Sequence, residues 1–262
     1  MDHKSKVEFV RNHLRESEDI ELPTLSDIYQ KTQELINSGN ATVHSLANII
    51  EKDLALVIKI LKIVNSVGMG VKNHVSTLQR AINILGFQEL SNLLLSTSVM
   101  GSFEKKESIN FSPRMFWEHS LAVAVGARML AEQSPLKINP HGAFVDSLLH
   151  DIGKIFGYQF MKKRFPQVLK TCKEKAMFFH QTEDEVMGFN HQHIGQALAQ
   201  EWKLPSPYPV MIGYHHTPEL VSSDDPHYPY VCCVHLANIL AKSLVIGSGG
   251  DSFVTPPDSN VL

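Results

Sequence analysis

The sequence lacks an apolar run of membrane-spanning length, an excess of either charge, and any cysteine spacing suited to a bridge or a zinc finger. Each absence removes a class of protein. A spanning helix needs about 20 consecutive apolar residues, and the opening M-D-H-K-S-K-V-E-F-V-R-N-H carries charge where a signal peptide needs an unbroken apolar core. Formal net charge is -3, with acids and bases mixed along the chain. That leaves no basic stripe for nucleic acid and no acidic tail for a basic partner. Cys172, Cys232 and Cys233 form an odd set with two adjacent members, which points to a reduced, cytoplasmic protein. Neither nucleic acid nor a membrane is therefore expected as a partner.

Histidine is what the chain has in abundance, fourteen in 262 residues. The length suffices for one substantial core or two modest ones. Helical spacing dominates. Val7, Val10 and Leu14 mark an amphipathic helix over 4–16, and Ile28, Leu35 and Ile36 a second one closed by Asn37-Ser38-Gly39-Asn40. Thr42 is placed to cap a third helix through its hydroxyl, and Asp53 precedes a fourth carrying Leu54, Val57, Ile58, Leu61 and Val64. Further helices are expected over 78–85 and 87–100, before a polar, proline-containing stretch at 104–114 that separates two sub-bundles. Strand-like alternation is nearly absent, so the fold class is all-α. The first half gathers no acids, histidines or cysteines, which suits packing and partner contact better than catalysis.

The second half carries the chemistry. Ser147 to Lys154 reads S-L-L-H-D-I-G-K, placing an imidazole (His150) beside a carboxylate (Asp151) at the end of an apolar helical run. His119 opens a stripe with Val123, Gly126, Ala127 and Leu130, so its ring needs a buried partner: a metal, a carboxylate or a carbonyl. The stretches 158–165 and 168–176 extend the bundle. Asn190 is a cap for the helix that begins at His191, and Pro205, Pro207 and Pro209 introduce a helix ending in His215-His216. A last helix over 230–244 carries His235 and Asn238. The run Glu183-Asp184-Glu185 reads as solvated helix surface. His44, His74, His141, His180, His193, His227 and His235 read as surface or packing residues. Met69, Met100, Met115 and Met129 are expected to fill core gaps, and from Gly247 the glycine, serine and proline content suggests a flexible tail.

Four segments carry a family resemblance: Leu22-Pro23-x-Leu25, L-A-N-I-I-E-K-D-L-A-L, I-L-K-I-V-N-S-V-G-M-G and T-L-Q-R-A-I-N-I-L-G. In this order they resemble the N-terminal helical portion of the HDOD (HD-related output domain) family, a bacterial signalling module, and the resemblance extends over about Leu22 to Lys242. The downstream order H, HD, H, HH is similar to the HD metal-dependent phosphohydrolase superfamily and to its HD-GYP phosphodiesterases. By that resemblance His119, His150 and Asp151 match a primary metal site. His191, His215 and His216 match the ligands of a second metal, and Lys154 matches a phosphate-holding lysine. Three positions depart from the pattern. Asn238 stands where the superfamily has a closing aspartate, Met115 where the HD-GYP relatives have a glutamate, and Thr217-Pro218-Glu219 where they have G-Y-P.

The resemblance implies an HD-domain/PDEase-like helical bundle preceded by an N-terminal multi-helix array, divided as 1–21, 22–110, 111–246 and 247–262. It also implies a divalent metal, mono- or binuclear, of the iron, manganese or zinc type, which suits imidazole and carboxylate ligands. The expected function is a stand-alone signalling module that relays a signal by protein contact or ligand binding and keeps a partial metal site. The competing expectation is an active metal-dependent phosphohydrolase or phosphodiesterase on a nucleotide or cyclic dinucleotide, with Asp151 and Lys154 catalytic. In that case a metal-bound hydroxide attacks phosphorus while the lysine neutralises the developing charge.

Overall fold

The computed structural model describes residues 1–16, 25–103, 111–135, 138–250, 253–258 and 261. Leu22-Pro23 and the polar residues 104–110 lie outside the described residues. Six helices precede residue 104: α1 (His3–Glu16), α2 (Asp27–Asn37), α3 (Val43–Ile50), α4 (Leu54–Val64), α5 (Leu78–Leu85) and α6 (Phe87–Ser102). Eight follow: α7 (Pro113–Gln133), α8 (Pro140–Ser147), α9 (Ile152–Phe160), α10 (Arg164–Lys175), α11 (Phe179–Met187), α12 (His191–Glu201), α13 (Tyr208–Tyr214) and α14 (Tyr228–Ser243). No β-strand occurs among the described residues, and the fold is all-α.

Local chemistry sets most helix starts. Thr42 accepts from the Ser45 amide while the Ser45 side chain accepts from the Thr42 amide, a reciprocal cap for α3. Asp53 and Thr77 cap α4 and α5 through Leu56 and Arg80. α7 and α8 combine a Ser112 or Asn139 cap with a proline in the first turn, where the missing amide costs nothing.

The long α7 is the spine of the second bundle, packed between α14 and α8. At the α7–α14 crossing, Gly126 lies so close to Ala237 that an added Cβ would come within 3.1 Å of the alanine methyl. Arg128 on α7 reaches back to the array and donates to the Gly68 carbonyl at 2.6 Å, and Asn92 on α6 donates to Asp146 on α8 at 2.9 Å. The array and the bundle thereby share one apolar core. α1 is first in the chain but packs on α12, anchored by Lys6 to Asp184 and Arg11 to Glu201, both at 2.5 Å.

The stretch 158–165 divides between α9, which ends at Phe160, and α10, which starts at Arg164. Two local expectations change. Met69 is a core residue, whereas Met115 is 39% exposed and Met129 57% exposed, so neither fills a core gap. Glu183 is buried at 1% exposure and is no part of a solvated surface.

Candidate metal centre

Asp151 occupies a break between two helices. α8 ends at Ser147, residues 148–151 turn, and α9 begins at Ile152, so His150 and Asp151 project from the turn into the bundle. Close helix contact brings the other ligands to them. A Cβ on Gly153 would come within 2.0 Å of the His191 carbonyl and 2.9 Å of the Gly195 amide, so only glycine lets α9 approach the start of α12. Asn190 caps α12 by accepting from Gln192 and His193, which fixes His191 in its first turn. His215 is the C-cap that follows α13, and His235 on α14 donates from Nδ1 to its carbonyl at 2.9 Å. His119 comes from α7, buried beside Val123 and Ala127.

These side chains form two overlapping clusters that share Asp151. One holds His119, His150 and Asp151; the other holds Asp151, His191, His215 and His216. All six residues expected as ligands are in them. Asp151 Oδ2 faces the first cluster, 3.3 Å from His150 Nε2 and 3.9 Å from His119 Nε2. Its Oδ1 faces the second, 3.3 Å from His191 Nε2 and 3.2 Å from His215 Nε2. All of these residues but His216 are fully or almost fully buried, and His216 keeps partial exposure.

The tautomers explain what this arrangement is for. His150 Nδ1 lies 2.9 Å from the Ser147 carbonyl and His215 Nδ1 3.0 Å from the Ile212 carbonyl. A carbonyl only accepts, so the ring hydrogen sits on Nδ1 and Nε2 is left to face the centre. Nε2 of His119, His150, His191 and His215, together with Asp151 Oδ1, are buried without any hydrogen-bond partner. Buried polar atoms without partners are rare and costly, and here five converge on one place. A divalent cation is the group that satisfies imidazole nitrogens and a carboxylate oxygen at once. The residues present therefore fit the metal that the sequence implies.

Charge states agree with this donor set. Burial lowers His119 to about 3 and His215 to about 4. Burial also takes His191 and His216 well below the usual imidazole range. Neutral imidazoles are the form that binds metal. For Asp151 burial pushes upward, but the Lys154 ammonium holds it well below the usual carboxylate range. Lys154 Nζ donates to Asp151 Oδ2 at 2.8 Å and is itself fully buried. The lysine sits in the first turn of α9, the end of a helix where the macrodipole disfavours a cation, so Asp151 and not the dipole holds it.

Two elements of the site were not expected. Glu183 accepts from both the His191 amide and His191 Nδ1, a carboxylate behind a ligand imidazole. A signal for it exists, since Glu183 falls between Phe179 and Met187 at helical spacing and so interrupts a buried stripe. The second is the stretch after α14. Ser248 donates to the Met115 carbonyl at 2.9 Å, and buried Gly249 lies over the centre: a Cβ there would be 3.2 Å from Lys154 Nζ and 3.4 Å from both Asp151 Oδ2 and His119 Cδ2. The glycines that suggest a loose tail are what let the chain pass this close.

Asn238 on α14 is buried with its Oδ1 unpartnered. None of the seven histidines read as surface or packing enters a cluster, although His180 stacks on His216 at 4.6 Å. A separate apolar groove of about 450 Å³, lined by Ile63, Met100, Trp117 and Leu121 among others, contains none of the ligands. Among the described residues no helix is long and apolar enough to cross a membrane.

Comparison with known proteins places the chain. A family model described as HDOD domain matches residues 22–218, ending short of α14 and of Lys242. An HDOD domain protein of unknown function from Geobacter sulfurreducens has a similar structure, with TM-score 0.79, 26% identity, and 97% of this chain and 84% of that chain covered. A candidate phosphohydrolase from Shewanella amazonensis SB2B shares the fold at TM-score 0.71 and 21% identity, covering 92% of this chain and 81% of that one. An uncharacterised protein of Treponema pallidum is 24% identical over 224 residues, which is 86% of this chain and 43% of that protein. The chain thus spans less than half the length of that relative.

Proposed function

This chain belongs to the HDOD domain family, and on that footing we propose that it is a regulatory module that relays a signal by protein contact or ligand binding around a buried divalent-metal centre, without turnover. The observation that carries this reading is the cover over Asp151. Buried Gly249 sits against Lys154, Asp151 and His119, where a phosphate ester would have to lie to meet the metal and the lysine. Lys154 is also committed to Asp151 Oδ2 at 2.8 Å, so its charge is spent inside the centre. A hydrolase of this type keeps an open coordination position and an approach for substrate.

In this reading the metal would be held at Asp151, with His119, His150, His191, His215 and His216 as the candidate partners, and would supply cohesion between the elements that carry them. Glu183 keeps His191 in the orientation that presents Nε2. The ligands come from four separate places in the chain, so their coordination ties the second bundle together, and the Asn92–Asp146 and Arg128–Gly68 bonds carry its position to the array. One observation favours a phosphohydrolase or phosphodiesterase instead: the ligand set and Lys154 are retained together around one aspartate. A hydrolysis assay of the metal-loaded protein on phosphodiesters and cyclic dinucleotides separates the two. No turnover above the Asp151→Ala variant is expected.

A further inference from the structure

The two halves of the centre are not equivalent. In the half around Asp151 Oδ2, a cation is already present: the Lys154 ammonium, fully buried, 2.8 Å from that oxygen. The same half is closed from above by Gly249, which lies against Lys154 Nζ, Asp151 Oδ2 and His119. It has two imidazoles to offer, His119 and His150. In the half around Asp151 Oδ1 there are three imidazoles, His191, His215 and His216, and no ammonium on the oxygen. His191 there is braced by Glu183, and His216 keeps partial exposure and so an edge toward solvent.

Charge decides between one ion and two. Among the described residues Asp151 is the single carboxylate in either cluster, and the Glu183 carboxyl behind His191 adds to the Oδ1 half alone. A divalent ion on each side of it, with Lys154 beside them, would set two doubly charged cations and an ammonium against one shared carboxylate in a buried site. Like charges a few ångströms apart in a low-dielectric interior repel strongly. With one ion at Oδ1 and the ammonium at Oδ2, each carboxylate oxygen has one cation.

We infer that this protein binds a single borderline divalent cation, in the half formed by Asp151 Oδ1, His191, His215 and His216, and that Lys154 serves as the built-in counter-cation of the other half. The inference rests on the metal-centre reading above and assigns Lys154 to charge neutralisation in place of phosphate contact. It also makes the His119/His150 half a second site that is electrostatically blocked.

The test is metal content, measured on the full chain. Metal-free protein is reconstituted with Mn(II) or Zn(II), freed of excess, and analysed for ions per chain; the position is read from anomalous scattering in crystals of the same preparation. The expected result is one ion per chain beside His191, His215 and His216. His216→Ala is expected to lose it, and His119→Ala to keep it. Lys154→Met, which removes the charge at similar length, is expected to raise the content from one ion to two. Two ions in the unaltered protein, or one ion beside His119 and His150, would overturn the inference while leaving the metal centre intact. No ion at all would overturn both. Since Lys154→Met is a buried change, the wild-type scattering map decides if that variant does not fold.

Discussion

Asp151 Oδ1 lies 3.2 Å from His215 Nε2, and both atoms are acceptors. The His215 ring hydrogen is spent on the Ile212 carbonyl through Nδ1, and burial keeps the ring neutral with its pKa near 4. Two lone pairs held this close in a buried place repel unless a cation lies among them. Adding Mn(II) or Zn(II) to the metal-free protein raises its melting temperature, and at a free metal concentration 100 times Kd the gain is about 2.7 kcal/mol. Scanning calorimetry with and without metal measures it. An equal gain in Asp151→Ala would contradict the assignment.

Glu183 is buried behind His191 and bonds both its amide and its Nδ1. Burial raises the Glu183 carboxyl well above its usual range, the His191 amide bond opposes this, and a cation on His191 would favour the ionised form. Glu183→Gln keeps the volume but can no longer hold the ring as a carboxylate does. The expected effect is a loss of about 10–100-fold in metal affinity, the usual cost of removing such a partner. Competition with a chromophoric chelator reads the affinity, and an unchanged value would show that Glu183 is packing alone.

Gly153 is where α9 meets α12. An alanine methyl there would meet the His191 carbonyl at 2.0 Å and the Gly195 amide at 2.9 Å, both backbone atoms that cannot swing aside. Gly153→Ala is expected to cost about 3 kcal/mol or more through forced separation of the helices, and to weaken metal binding with it. Gly101→Ala on α6 is the control, because nothing lies within 4 Å of the added Cβ. Helix propensity should then give it a gain of about 1 kcal/mol. Urea melts of the two variants settle this.

Asp146 links α8 to α6 and supplies a pH dependence separate from the metal. Burial raises its carboxyl from 3.8 to about 7, Glu89 adds to the rise, and the Asn92 bond opposes it. Between these values the folded chain holds a proton that the unfolded chain has lost. Stability therefore falls as pH rises through that window and levels off above about 7, a change of as much as about 4 kcal/mol. Asp146→Asn removes the group, so the variant is expected to lose this slope and to be the more stable protein at about pH 8. Chemical denaturation at about pH 5 and about pH 8 gives the comparison; parallel slopes in both proteins would refute it.

The helices were legible because their starts are written in local chemistry. Thr42, Asp53 and Asn190 each accept from first-turn amides as their types and positions suggest. The ligands were legible because histidines in helical settings and in family order are a specific pattern. Glu183 escaped because its neighbours Asp184 and Glu185 are partly or fully exposed, and an acidic triplet hides which member points inward. Gly249 escaped for a different reason. Glycine and serine content reports backbone freedom in the unfolded chain, and says nothing of a carbonyl such as that of Met115 waiting to accept from Ser248. The place of Lys154 was also hidden, since the break at 148–151 turns an apparent helix end into a helix start.

As proposed, the covered centre binds metal and does not turn over phosphodiesters. The most direct measurement is hydrolysis by the metal-loaded protein, with one ion per chain verified, of a chromogenic phosphodiester and of cyclic dinucleotides. The expected rate equals that of Asp151→Ala under the same conditions. Turnover well above that background, lost in Asp151→Ala, would contradict it and identify the protein as a phosphodiesterase.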